Sequence, residues 1–202
     1  VDGNLFSTAV SLLNYHGESY LLTGEVPKRL GSGGPLACPY RNFRCADDQW
    51  IFIAGSNEGF WKRLADALGL SAMNDDPRYA TNVERVKHRA EVDRIVQEAV
   101  GRYRREELMK LLEKAGVPAV PVNTIDQVLA DPQVAAQDML WEVEQPKLGK
   151  VSVLGFPLSF SRMKAGVRRD PPQHGQHTDE VLKEHGYSQD EIDRLRARKV
   201  IL

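Results

Sequence analysis

Residues 47–70 read DDQWIFIAGSNEGFWKRLADALGL, which places a turn, a strand and a helix in direct succession. The acidic pair at the start favours the turn, and the short apolar run at 50–54 predicts a buried strand. From residue 57 the apolar residues recur at helical spacing, which predicts a helix over 57–68. Gly69 follows as its C-terminal cap, because glycine readily adopts the left-handed conformation in which helices often end.

Further helices are predicted on both sides of this segment. Upstream, leucine and alanine residues at helical spacing predict an amphipathic helix over 4–16. Downstream, the same spacing predicts helices over 83–103 and 106–114, the second closed by Gly116. The stretch 117–122 is broken by prolines, which suits an extended segment at the edge of a sheet.

The rest of the chain carries helix caps and short strand signals. A capping box begins at Thr124, and Asp131 with the proline after it is typical of a second helix start. Short apolar runs between 141 and 158 predict strands. Thr178 is expected to cap a helix, and Ser188 opens a capping box for the last one. Helices mixed with short strands, without regular strand–helix alternation, predict an α+β fold.

Composition limits the classes of partner. The chain has 202 residues, 42% of them hydrophobic and 27% charged, with a net charge of −1. A chain without excess positive charge has no field to attract nucleic acid. No apolar run approaches the length of a membrane helix and no signal peptide is visible, so we expect no membrane association. Cys38 and Cys45 lack metal-site spacing, which favours reduced thiols and a cytoplasmic protein.

The glycines at 31, 33 and 34 are the first candidates for a functional segment. Gly31, Gly33 and Gly34 lie in the most turn-prone stretch of the chain, where a backbone without Cβ atoms can approach a ligand closely. No Gly-Lys-Ser/Thr follows, so a phosphate-binding Walker loop is not predicted. On the residues alone, a lid over a ligand and a plain flexible connector are equally favoured.

Other residues able to carry chemistry have simpler structural roles. His174 and His177 have a metal-like spacing, but without further ligands nearby a loop leading into a helix is favoured, and no metal is expected. The acidic pairs 47–48 and 75–76 lie in turns, where an aspartate side chain accepts hydrogen bonds from the nearby backbone. No serine lies in a G-x-S-x-G motif, so a hydrolytic triad is a weak hypothesis.

A series of short pieces in fixed order along the chain carries a family resemblance. They include YLLTG at 20–24, DPRYATN at 76–82, AGVP at 115–118 and GQHT at 175–178. In this order, over essentially the whole chain, they resemble the C-terminal half of a class III CoA-transferase, the CaiB/BaiF or formyl-CoA transferase-like family.

The resemblance implies the transfer of CoA between an acyl-CoA and a carboxylic acid, with the CoA thioester as substrate and no other cofactor. In that family an aspartate of the N-terminal half attacks the thioester and forms mixed-anhydride and aspartyl-CoA intermediates. That half has no counterpart here, so no catalytic residue is assigned. Gly31, Gly33 and Gly34 match the region of a family loop that covers the intermediate.

The resemblance also implies a domain plan. Residues 1–24 would be a linker helix from the absent N-terminal domain, 25–138 a small α+β domain, and 139–202 a segment that returns to the absent large α/β domain. The full-length protein would form an interlocked homodimer. Val1 is not methionine, which is typical of a chain cut from a longer protein.

Three other interpretations are weighed against the transferase. An acyl-CoA racemase shares the family fold, and a non-catalytic dimerisation or interaction domain would need no active site at all. An independent hydrolase is the weakest of the three. If the large domain is missing, apolar residues such as Trp141, Val153 and Phe156 lose burial, which predicts association or poor solubility.

Overall fold

A three-stranded antiparallel sheet is central to the first part of the chain. Its strands are β1 (Tyr40–Arg44), β2 (Trp50–Ala54) and β3 (Ala119–Val122), in the order β1-β2-β3. The predicted strand at 50–54 and the edge position of 117–122 are both confirmed. Asp48 has φ 62° in the turn before β2, as expected of an aspartate in a tight turn.

The computed structural model describes residues 2–202 in two units. The first unit ends at Asn123, and the second runs from Thr124 to Leu202. Val1, on which the expectation of a cut chain rests, lies outside the described residues. The domain boundaries at 24 and 138, which follow the family resemblance, stay a prediction.

Six α-helices and one 3-10 helix accompany the sheet in the described part of the first unit. They are α1 (Leu5–Ser11), α2 (Asn14–Thr23), α3 (Glu58–Ala67), the 3-10 helix Ser71–Asn74, α4 (Asn82–Lys87), α5 (Arg89–Val100) and α6 (Arg105–Lys114). The predicted helices at 57–68 and 106–114 are confirmed as α3 and α6. Gly69 and Gly116 follow them with φ 72° and 67°, so both act as left-handed helix terminators.

The core of this unit lies between the sheet and helices α3, α5 and α6. Ile51 and Ile53, which share one face of β2, are fully buried. They belong to one apolar cluster with Leu64 of α3, Val96 of α5 and Leu112 of α6. Burying side chains of this size contributes about 1.5–3 kcal/mol each. Residues 47–70, which contain β2 and α3, therefore supply the centre of this core.

The prediction of one amphipathic helix over 4–16 is wrong. The chain forms α1 and α2 instead, because Asn14 takes the left-handed conformation with φ 46° and interrupts the helical path. Neither helix has a buried residue, and the leucines at 5, 12 and 13 are exposed. Leucine spacing identified the helical tendency here but not a buried face.

The prediction of one helix over 83–103 also needs correction. His88 separates α4 from α5 with φ −99° and ψ 20°, outside the helical region, and α5 ends at Val100. The ring nitrogen Nδ1 of His88 lies 3.0 Å from the carbonyl oxygen of Glu84. A side chain that bonds to the preceding turn competes with the helical backbone.

The second unit contains four short helices and a hairpin. These are α7 (Ile125–Leu129), α8 (Pro132–Ala136), β4 (Leu140–Gln145), β5 (Gly149–Leu154), α9 (Thr178–Glu184) and α10 (Gln189–Ala197). The predicted helix starts at Thr124, Asp131 and Ser188 are confirmed, each with its capping hydrogen bonds. Two expectations are wrong. Thr178 is the first residue of α9 and His177 the cap, and Leu158 lies beyond the last strand.

No helix formed by residues 2–202 is long and apolar enough to cross a membrane. The second unit has little interior of its own, since Val143 and Ile192 are its only buried apolar residues among those described. Trp141 and Val153 are half-buried, whereas Phe156 is 49% exposed and Leu154 is 72% exposed. Apolar surface of this extent usually marks an interface.

We expect the isolated chain to associate through these exposed apolar side chains. In sedimentation velocity experiments at increasing protein concentration, the mean sedimentation coefficient should rise. A concentration-independent monomer with a sharp, high melting transition would contradict this expectation, because it would show that the exposed apolar residues need no partner.

Candidate active-site loop and arginine pocket

The predicted glycine loop lies between α2 and β1. Gly31 has φ +63°, a conformation that favours glycine, and a Cβ there would meet open space. The amide of Gly33 donates to the carbonyl oxygen of Leu30 at 3.1 Å and closes a turn. Gly31 therefore provides the left-handed residue of this turn, which leads the chain towards the sheet.

The loop is fastened to the free edge of β1. The amide of Gly34 donates to the carbonyl oxygen of Tyr40 at 3.1 Å. The amide of Asn42 donates to the hydroxyl oxygen of Ser32 at 3.1 Å. These bonds occupy backbone groups of an edge strand that would otherwise be open to pairing with another chain. The loop is thus an ordered cover of the sheet edge.

Gly34 is required by close packing. A Cβ at this position would lie 2.9 Å from Cδ1 of Tyr40, closer than a carbon contact allows. The Tyr40 ring is itself held edge-to-face against Phe52, with ring centroids 4.9 Å apart. Moving the ring away from a side chain at position 34 would therefore disturb its contact with Phe52.

Asn82 holds the second half of the loop. Its side-chain nitrogen donates to the carbonyl oxygen of Leu36 at 2.8 Å, and its Oδ1 accepts from the amide of Cys38 at 3.1 Å. The backbone amide of Asn82 donates to the Glu58 carboxylate at 2.9 Å, and this bond lowers the pKa of that carboxyl. The motif at 76–82 thus positions the loop from the side of the helices.

Arg85 is fully buried directly beside this point. Its Nε donates to the carbonyl oxygen of Cys38 at 2.7 Å, and its Nη1 donates to that of Tyr79 at 2.9 Å. The guanidinium lies over the Trp61 ring, 5.1 Å from its centroid. Within residues 2–202 no carboxylate lies within ion-pair distance of Arg85. Carbonyl dipoles, an aromatic face and, at longer range, the charge of Glu58 stabilise its guanidinium.

A pocket of about 440 Å³ opens between the loop, β1 and α5. Four arginines and a single aspartate line it, together with apolar and amide groups. The lining consists of Arg29, Leu30, Gly33, Arg41, Phe43, Arg89, Ala90, Asp93, Arg94 and Gln97. Arg89 is fixed at its wall, because its Nη2 donates to the carbonyl oxygen of Pro35 at 3.1 Å. The lining therefore carries a net positive charge.

The two cysteines are free and buried. Burial, and then the negative charge of Asp93, raises the pKa of Cys38 to about 12. Burial, and then Asp47, raises the pKa of Cys45 to about 11. Since the thiolate is the reactive form, neither thiol is a nucleophile at neutral pH. Asp93 itself is paired with Arg41 at 3.0 Å.

The aspartates of the two acidic pairs make contacts that stabilise the fold. Asp47 accepts from the backbone amide of Arg105 at 3.3 Å, and Asp76 forms an ion pair with Arg78 at 2.7 Å. Across residues 2–202, no group of three or more histidine, cysteine, aspartate or glutamate side chains is arranged to hold a metal.

Comparison with known proteins gives the family. The sequence profile of CoA-transferase family III matches residues 1–178. This chain belongs to CoA-transferase family III. The α+β fold and the resemblance to the C-terminal half of this family are confirmed.

Several similar proteins belong to the same family or carry out CoA transfer. Human succinyl-CoA:glutarate CoA-transferase is 34% identical over 91% of this chain and 42% of its own length. Succinate–glutarate CoA-transferase of Agrobacterium fabrum is 33% identical over 91% of this chain and 46% of its own length. The crystal structure of a CaiB/BaiF family protein from Brucella suis superposes with a TM-score of 0.70 and 32% identity, over 86% of this chain and 44% of that one. The chain thus spans less than half the length of these relatives.

No pattern along the sequence predicts the arginine pocket. Its residues come from the loop, a strand and a helix, as far apart along the chain as Arg29 and Gln97, and only the fold brings them together. Arg41 offered a local signal, because it is a charged residue within strand β1. Of the glycines that were predicted, Gly33 lines this pocket, whereas Gly31 and Gly34 shape the loop beside it.

Substitution of Gly34 by alanine tests the close packing of the loop. We expect Gly34→Ala to lower the free energy of unfolding by roughly 1–3 kcal/mol, the usual cost of overpacking, as measured by urea denaturation. Gly3→Ala is the matched control, because a Cβ at Gly3 meets no atom within 4 Å. Equal stability of the two variants would mean that Tyr40 yields freely and that the loop does not need glycine at 34.

Proposed function

We propose that this chain is the C-terminal part of a CoA-transferase that moves CoA between an acyl-CoA and a carboxylic acid, with the catalytic aspartate in the N-terminal half. The observation that carries the proposal is the family match over residues 1–178, combined with relatives of which the matched part covers only 42% and 46%. CoA takes part as the substrate thioester, and no other cofactor is needed. Two free thiols are consistent with work in the cytoplasm.

The chemistry of the described residues supports a nucleophile outside this chain. Covalent acyl transfer needs a group that is ionised and accessible at neutral pH. Cys38 and Cys45 have raised pKa values and are buried, and Asp76 and Asp93 are held in ion pairs. These four groups are thus occupied by structural roles.

The proposed reaction exchanges one bond at a time. The upstream aspartate attacks the thioester carbonyl, forms a mixed anhydride and releases the CoA thiolate. The thiolate attacks the aspartyl carbonyl, which releases the first acid and leaves an aspartyl-CoA thioester. The acceptor carboxylate attacks that thioester, and the returning thiolate then attacks the new acyl group. Acyl-CoA is formed and the aspartate is regenerated.

The glycine loop would cover the aspartyl-CoA intermediate in this scheme. A thioester exposed to water hydrolyses, so a cover that excludes water protects the transfer. The fastening of the loop to β1 by Ser32 and Gly34 supports an ordered cover with a fixed position. The domain plan of 1–24, 25–138 and 139–202 and an interlocked homodimer belong to the same proposal. The nearly coreless second unit supports it, since such a segment needs another surface to pack on.

Dicarboxylic acids are the proposed substrate class. The relatives from human and Agrobacterium are named for glutarate and for succinyl-CoA or succinate, and another 29% identical relative is named for D-citramalate. Each of these acids carries a second carboxylate in addition to the one that joins CoA. We propose that the protein containing this chain transfers CoA between acids of this type.

CoA exchange tests the proposed function. The assay would mix succinyl-CoA with glutarate and separate the CoA thioesters by chromatography, first with this chain alone and then with its upstream half added. We expect glutaryl-CoA only when both halves are present, because the nucleophile lies upstream.

A matched control uses the upstream half with its candidate nucleophilic aspartate changed to alanine. This mixture should be inactive although both chains are present. Glutaryl-CoA formation by this chain alone would contradict the proposal, because a catalytic group would then lie within these residues.

A further inference from the structure

The arginine-lined pocket beside the glycine loop combines features that point to a bound anion. Four of its lining residues are arginines and one is an aspartate. Guanidinium groups gathered in one concave site repel each other unless negative charge compensates them. Asp93 compensates Arg41 at 3.0 Å, and Glu98 outside the lining compensates Arg94 at 2.6 Å. Arg29 and Arg89 have no such partner among the described ion pairs.

The protein fixes two of these guanidinium groups without using all of their donors. Arg41 donates to Asp93 through Nη1, and Arg89 donates to the Pro35 carbonyl oxygen through Nη2. Over residues 2–202, Arg41 Nε and Arg89 Nη1 are buried without a hydrogen-bond partner. Because these two nitrogens are shielded from solvent, they face the protein interior and not the open pocket. A bound oxyanion would therefore meet the guanidinium groups through their atoms that line the pocket.

The remaining lining suits an organic anion better than an inorganic one. Leu30 and Ala90 add apolar surface beside the arginines, whereas Phe43 is 1% exposed and offers almost none. A short hydrocarbon chain would lie against Leu30 and Ala90 while its carboxylate meets the guanidinium groups. Inorganic phosphate would satisfy the arginines and leave the apolar wall uncovered. A volume of about 440 Å³ is ordinary for a small-molecule site.

From this geometry we infer that the pocket binds a carboxylate group of a short dicarboxylic acid, with Arg89 and Arg29 as its principal cationic contacts. The choice of acid rests on the proposed function, whereas the oxyanion chemistry rests on the pocket alone. Gly33 at the pocket wall connects bound acid to the loop, so binding here would also stabilise the loop.

Binding to the 202-residue chain can be measured without catalysis. Isothermal titration calorimetry would compare glutarate, its uncharged diamide and inorganic phosphate. We expect glutarate to bind, the diamide to bind at least tenfold more weakly, and phosphate to bind more weakly than glutarate. Binding of the diamide equal to that of glutarate would overturn the inference. Phosphate that binds as tightly as glutarate and displaces it would replace the assignment with a general oxyanion site.

Single substitutions locate the site. Arg89→Gln should weaken glutarate binding roughly tenfold, since a hydrogen bond to a charged group is worth about 1.5 kcal/mol or more. Arg29 is exposed, so Arg29→Gln should weaken it only about threefold. Arg102→Gln is the matched control, because it removes the same charge from an exposed arginine outside the pocket. Its affinity should stay within about twofold of the parent chain.

Circular dichroism would establish that each variant is folded. If Arg89→Gln loses its fold together with its bond to Pro35, the comparison of Arg29→Gln with Arg102→Gln decides the question. Equal glutarate affinity in these two variants would overturn the inference.

The outcome is separable from that of the CoA exchange assay. Exchange activity without glutarate binding to this chain would remove the pocket assignment and leave the proposed function in place. Glutarate binding that depends on the pocket arginines, without exchange by the two halves, would support the pocket assignment and contradict the proposed function.

Discussion

The guanidinium of Arg85 is buried where three separate parts of the first unit meet. It donates to the Cys38 carbonyl oxygen at the entry to β1 and to the Tyr79 carbonyl oxygen before α4, and it lies over Trp61 of α3. Removal of Arg85 would leave these buried carbonyl groups without a charged donor. Each unpaired carbonyl would lower the free energy of unfolding by about 1–3 kcal/mol. The strand, the turn and the helix must therefore assemble together around a single charge.

This constraint extends to the functional surface. Cys38 follows the glycine loop directly, and Asn82, close to Arg85 in the chain, holds the backbone at both Leu36 and Cys38. The loop then runs along the edge of β1, and one side of it forms a wall of the arginine pocket. A single buried cation and one asparagine thus hold the end of the loop at Leu36 and Cys38, and bonds to β1 hold its glycines.

The two units differ in how far they can stabilise themselves. The first has a continuous apolar cluster from the sheet through α3, α5 and α6. The second has a hairpin, short capped helices and two buried apolar residues among those described, Val143 and Ile192. Local capping fixes where its helices begin, but it contributes only about 1 kcal/mol for each cap. A segment of this type gains most of its stability from a surface on which it packs.

The sequence predicted those features that depend on local chemistry. The strand at 50–54, the helices that end at Gly69 and Gly116, and the capping box at Thr124 all follow from short-range patterns. The breaks at Asn14 and His88 were missed because a helical repeat continues across them. The pocket was missed for a different reason. Residues as distant as Arg29 and Gln97 meet only in the folded chain, and no spacing along the sequence predicts that meeting.

Location of the covalent intermediate is the most direct test of the account. The two halves would be incubated with succinyl-CoA, quenched in acid and separated, and each polypeptide would be analysed by mass spectrometry. The account predicts a CoA adduct on the upstream half and none on residues 1–202, because this chain supplies the loop and the pocket and not the nucleophile. A CoA adduct on a peptide of this chain would contradict that division of roles.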